Sequence, residues 1–146
     1  MMKKKDWILT VLNCSEDKTL SPVQLQKSLF LLKYMNPDAF SNNFYNFIPY
    51  HYGPFCLNIY EDADLLKFNE MININVNTIE RWNIYSITDK GIKHVDDLKK
   101  QIKPELYNYA LKIVKWVKNK TFSQLINEIY KQFPEFKVNS VFKGNI

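Results

Sequence analysis

A mostly helical α+β domain is the fold class that this sequence predicts. Helical spacing of apolar residues recurs along most of the chain, and strict apolar–polar alternation is confined to two short runs around one turn. Apolar residues make up 46% and aromatics 15%, enough for a packed interior. The 146 residues form one ordinary domain, since dividing them between two cores would leave each too small to be stable. Three glycines and 24% charged residues exclude collagen-like and disordered chains.

Lys3 to Asn13 places Trp7, Ile8, Val11 and Leu12 at helical spacing. The loop Cys14 to Leu20 delivers Ser21-Pro22, an N-cap followed by proline at the first helical position, so a second helix starts there. It runs to about Met35, with Leu25, Ser28, Leu29, Leu32 and Met35 on one side, and Asn36-Pro37-Asp38 ends it by turn chemistry. Aromatics in near alternation from Phe44 to Tyr52 predict an extended segment up to Gly53-Pro54.

A third helix covers Phe55 to Phe68, with Phe55, Ile59, Ala63 and Leu66 on one face and Leu57, Tyr60, Leu65 and Phe68 around the remainder. Ile72 to Val76 alternates, Asn77 and Thr78 lie at a turn, and Trp82 to Ile87 alternates again, which is a β-hairpin. Thr88-Asp89-Lys90-Gly91 opens a fourth helix through about Ile102, Pro104 begins a fifth through about Lys120, and Ser123 to Phe133 has the spacing of a sixth.

Two helices, a third that runs into a β-hairpin, and a helix after the hairpin follow the order of a winged helix-turn-helix. The prediction is therefore a winged helix-turn-helix with an inserted aromatic strand and additional C-terminal helices. Residues of about 1–102 form the winged-helix core of this single domain, and those of about 103–146 a helical extension. Asn36 to Pro54 replaces the short turn that a simple DNA-reading motif has between its second and third helices.

Several functional classes drop out. The apolar runs are far shorter than the ~20 residues of a membrane span, and Met1-Met2-Lys3-Lys4-Lys5 leads into Asp6 and an amphipathic segment, so neither a signal peptide nor a membrane helix is expected. Cys14 and Cys56 are not in metal or redox spacing and read as buried thiols in a reducing, cytoplasmic setting. His51 and His94 fit no metal-ligand spacing, and no phosphate-binding glycine loop or nucleophile elbow is present. Neighbouring residues on a helix point about 100° apart, so Glu61-Asp62 and Asp96-Asp97 do not share one metal. No catalytic residue, cofactor or metal is expected.

Ser21-Pro22-Val23-Gln24-Leu25-Gln26-Lys27-Ser28-Leu29-Phe30, the FIPYHYGPF run from Phe47 to Phe55, Ile59-Tyr60-Glu61-Asp62 and Tyr85 to Gly91 together resemble small bacterial winged-helix proteins of the YwgA-like type. They are similar, more remotely, to the Panacea or SocA-like antitoxin domain, whose hallmark is an LQKLLY helix followed by an aromatic-Gly-Pro step. The likeness spans about residues 20–91. It implies a non-enzymatic domain of bacterial or phage origin that works by binding, with relatives in toxin neutralisation, and it supplies no catalytic residues. Phe122 to Phe142 matches no part of the antitoxin pattern.

Two surfaces are candidates for a partner. Tyr50, His51, Tyr52 and Phe55 of the aromatic step, with Asn58, Tyr60, Glu61 and Asp64 of the third helix, form the first. The step is either a ligand or peptide pocket or a packing plug between sheet and helix; in the latter, His51 is hydrogen-bonded and partly buried, and Gly53 supplies a backbone conformation other residues resist. Glu61 and Asp64 repel phosphates, with Asp62 at the edge of the buried face, so a protein partner is favoured here over base readout.

The second surface is basic. Residues 1–86 carry 8 Lys/Arg and 9 Asp/Glu, whereas residues 87–146 carry 12 and 6, so the whole excess behind the net charge of +5 is C-terminal. Leu106, Ala110, Ile113, Val114 and Val117 form the buried stripe of the fifth helix and leave Lys112, Lys115 and Lys118 opposite, with Lys99, Lys100 and Lys103 before them and Arg81 on the wing. The leading expectation is a non-enzymatic winged-helix binding protein, antitoxin-like or regulatory, that docks a protein. The alternative is a DNA-binding transcriptional regulator using the wing and these lysines, dimeric through the terminal helices.

Overall fold

The computed structural model describes residues 2–79 and 81–142. The described residues are α+β and mostly helical, 59% helix and 13% strand, with small antiparallel sheets. Helix α1 (Lys4–Cys14) leads to a two-residue strand β1 (Thr19–Leu20), helix α2 (Pro22–Met35) and a helical turn α3 (Pro37–Phe40). Strands β2 (Ile48–Tyr50) and β3 (Gly53–Phe55) precede α4 (Leu57–Phe68), which is followed by β4 (Ile72–Val76) and β5 (Asn83–Ile87). Helices α5 (Asp89–Lys99), α6 (Pro104–Lys118) and α7 (Phe122–Gln132) and a 3₁₀ turn (Pro134–Lys137) complete it.

Helix α1 is the axis of the core. It is buried from Asp6 to Asn13 on every side, because α2, α4, α5, α6 and the sheet all pack around it. Its polar groups are satisfied locally: Thr10 Oγ1 donates to the Asp6 carbonyl at 2.8 Å, Asn13 Nδ2 donates to Tyr107 Oη at 3.1 Å, and Asp6 lies 3.1 Å from His94 Nε2. Helix α2 opens with a reciprocal cap in which Ser21 Oγ accepts from Gln24 N–H and Gln24 Oε1 accepts from Ser21 N–H. All of Leu25 to Leu32 is buried, so α2 has no polar face over that stretch. Met35, expected inside, is 53% exposed, because the chain turns away into α3 at Asn36.

Three elements differ from the sequence expectation for physical reasons. Thr19–Leu20, read as loop, is a third strand against Ser86 and Tyr85; two residues are too few to show alternation. The aromatic segment is a hairpin rather than one strand, with Ile48 opposite Phe55 and Tyr50 opposite Gly53. Phe55 therefore belongs to β3, and the helix expected to begin there begins at Leu57. Gln26 enforces the offset: its side-chain oxygen accepts from Cys56 N–H and its amide donates to the Cys56 carbonyl, both at 2.9 Å, as a strand neighbour would.

The other sheet is antiparallel in the order β1-β5-β4, with Ile72 opposite Ile87 and Val76 opposite Asn83, and Trp82 lies just outside β5. The C-terminal helices share the core of the rest. Helix α6 packs on α1 and α2, Tyr109 Oη donates to the carbonyls of Leu31 and Leu32, and Phe133 and Phe136 stand edge-on to Phe30 at 5.1 and 4.9 Å. Among the described residues no helix is long and apolar enough to cross a membrane.

Candidate functional site

The aromatic hairpin has an inner and an outer side. On the inner side Gly53, at φ +98°, and Pro54 are buried against α2. A Cβ on Gly53 would stand 3.3 Å from Tyr130, so both backbone conformation and space call for glycine. Below it Lys27 is only 3% exposed, and its ammonium donates to the Pro54 carbonyl at 2.9 Å. Burial pushes its pKa down to about 7. From the other side the C-terminal segment reaches the turn, where Val141 N–H donates to the His51 carbonyl at 3.0 Å.

On the other side, the rings of exposed His51 and Tyr50, half-buried Phe55 and Tyr60, and buried Tyr85 form a continuous series from surface to core, with successive centroids 4.2, 4.9, 5.7 and 6.2 Å apart. This joins four of the predicted partner residues on one surface. Tyr52 leaves the series and stands edge-on to Phe122 at 5.3 Å. His51, expected to be partly buried, is exposed, because its ring is laid on Tyr50 and only its carbonyl is engaged from within. Burial, with Tyr85 alongside, pushes the Tyr60 hydroxyl up to about 12 and keeps it a neutral donor.

Helix α4 presents the neighbouring surface. Glu61 and Asp64 are exposed, whereas Asn58 is half-buried and accepts a hydrogen bond from Lys4. Asp62, expected at the edge, is within the buried face, where Tyr45 Oη donates to it at 2.7 Å and the tyrosine pKa is raised by burial and by that carboxylate. Leu65, expected to be exposed, and Leu57 and Phe68 complete the outward stripe. Leu57 is 61%, Leu65 52% and Phe68 75% exposed, and with Glu61 and Asp64 they recur at the spacing of one helix face. The sequence signal for Leu57 and Phe68 was that they fall off the face shared by Ile59, Ala63 and Leu66.

The lysines do not form one free row. Lys99 lies over the Tyr107 ring at 4.6 Å, Lys100 pairs with Asp97 at 3.6 Å, and Lys118 pairs with Asp17 at 3.1 Å. Lys118, expected on an open face, is held there because it also donates to the Thr19 carbonyl. Lys103, Lys112, Lys115 and Arg81, which lies between β4 and β5, are exposed.

Lys112 and Lys115 edge a cleft of about 770 Å³ against the α1–β1 turn, which Glu16 and Asp17 share. Burial raises the Asp17 pKa, but hydrogen bonds from Ser15, Lys118 and Thr19 outweigh it and hold the group at about 2, so the cleft carries negative charge as well. Both cysteines are free; Cys56 is buried as expected, whereas Cys14 is half-buried at this cleft, and desolvation lifts its thiol to about 11. Among the described residues no three His, Cys, Asp or Glu side chains gather as a metal site. No protein-family model matches the chain, and no curated protein matches it significantly.

Proposed function

We propose that this chain is a non-enzymatic winged-helix binding protein, with an antitoxin-like or regulatory role, that docks a protein partner on α4 and the aromatic hairpin. Support for the winged helix comes from the element order α1-β1-α2-α4-β4-β5 and the β1-β5-β4 sheet. The observation that carries the docking reading is the outward stripe of α4, where exposed Leu57, Leu65 and Phe68 alternate with the carboxylates of Glu61 and Asp64. Apolar side chains so placed gain by leaving water, and unpaired carboxylates among them favour a partner segment that brings cations. Phosphate is disfavoured at the same place.

The test is capture from host extract on the intact protein and on a Leu65→Asp, Phe68→Asp double variant. A partner retained by the first, lost by the second and held in high salt is the expected result. An identical set on both would overturn the reading. The DNA-binding alternative rests on exposed Arg81, Lys103, Lys112 and Lys115; it expects duplex retention that weakens steeply with salt and with Lys112→Glu or Lys115→Glu.

A further inference from the structure

A groove of about 520 Å³ lies between the start of α2, the β2–β3 turn, Trp82 and the start of α7. Three aromatic side chains from three separate elements line it and remain open to solvent: Tyr52 is 44%, Trp82 43% and Phe122 40% exposed. Large aromatics left in water at one place from unconnected parts of the chain are costly unless something covers them. Tyr52 and Phe122 brace one another edge-on at 5.3 Å, and no described ring stacks on Trp82. Among the described lining residues Lys120 is the charged one; it is half-buried, with its ammonium 5.1 Å from the Trp116 ring centroid, and exposed Arg81 directly precedes Trp82 in the chain.

We propose that this groove binds single-stranded nucleic acid, with bases stacked on Trp82 and on the Tyr52–Phe122 pair and the backbone phosphates drawn to Lys120 and Arg81. Flat aromatic faces beside a cation match unpaired bases and phosphate. A duplex hides its base faces and offers nothing to the rings. At the mouth of α2 the Ser21 hydroxyl and Gln24 carbonyl oxygens accept backbone N–H groups in the helix cap, which leaves the Gln24 amide and the Ser21 hydroxyl as the few side-chain donors there for base edges. Binding is therefore tolerant of sequence. None of the α4 residues takes part; Tyr52 is shared with the protein-docking surface, so the two readings are told apart at Trp82 and Lys120.

The experiment uses the full chain and a fluorescein-labelled oligothymidylate of about twelve nucleotides, a length within the usual range for stacking sites. Anisotropy measures binding, and quenching of tryptophan emission in a Trp116→Phe background, where Trp7 is buried, reports contact at Trp82. The expected result is salt-sensitive binding with quenching, weakened roughly 10-fold or more by Trp82→Ala and little by Trp82→Phe. Lys120→Glu, a second variant independent of the ring, weakens it as well, while Lys93→Glu, at an exposed position of α5, leaves it unchanged. Equal binding of a duplex or of polyglutamate, no binding at low salt, or binding indifferent to Trp82→Ala would each overturn the proposal.

Discussion

At the scale of single residues, Lys27 departs furthest from its ordinary chemistry. It sits within the LQK run of an apolar helix, and its ammonium is buried with the Pro54 carbonyl as acceptor. Because its pKa falls from 10.5 unfolded to about 7 folded, the folded protein binds fewer protons than the unfolded chain between those values. Stability therefore rises with pH through that window, by about 1.4 kcal/mol per unit. Above pH 9 the Cys14 thiol, raised to about 11, acts in the opposite direction. Urea unfolding at pH 7 and pH 9 is expected to show the gain in the native chain and to lose it in Lys27→Met. An equal slope in both would remove Lys27 as its cause. The sequence displayed the lysine, but its burial depends on a hairpin that lies 27 residues away along the chain.

Among the elements, the junction of the main sheet with α5 is the most tightly specified. Thr88 caps the helix through Gly91 N–H, and its own hydroxyl donates to the Glu70 carbonyl at 2.7 Å. An added Cβ on Gly91 would lie 2.3 Å from the Met71 carbonyl oxygen and 2.6 Å from Ile87. Alanine is ordinarily the better helix residue by about 1 kcal/mol. Here the sign reverses, and Gly91→Ala is expected to destabilise by about 2 kcal/mol or more, since the clash is with backbone that must shift. Thermal unfolding checks this; an unchanged or higher midpoint would contradict the packing. The Thr-Asp-Lys-Gly start of this helix was legible from capping chemistry, whereas the aromatic hairpin was not, because the Gln26 side chain stands in for local backbone bonding at Cys56.

For the whole molecule, the question is whether the C-terminal helices are an appendage. Helix α6 covers α1 and α2, and Phe133 and Phe136 close over Phe30, so one apolar cluster runs from Trp7 to Phe136. A chain ending at Ile102 would expose the α1 and α2 surfaces that α6 now buries. Residues 1–102 alone are expected to lose cooperative thermal unfolding by circular dichroism and the dispersion of amide resonances. A sharp transition in that fragment would establish a self-sufficient core instead. The candidate surfaces also belong to this scale, since Trp82, Tyr52 and Phe122 meet only when the β4–β5 connection, the β2–β3 hairpin and α7 are assembled.

Local chemistry in the sequence determined the helices with caps and prolines, the β4–β5 hairpin and the predominantly helical α+β class, because these follow from spacing and from groups bonded to near neighbours. Tertiary structure decided how fully each face is covered. The sequence already grouped Ile59, Ala63 and Leu66 on one face of α4, and the packing of α1 and the sheet against that face leaves Leu57, Leu65 and Phe68 in water although they too are apolar. The lysine row was likewise visible as charge, and so was the local Asp97–Lys100 spacing, but Asp17 and Tyr107 engage Lys118 and Lys99 through contacts that the fold creates. Burial and charge pairing depend on distances in space, and spacing along the chain fixes those only within one element.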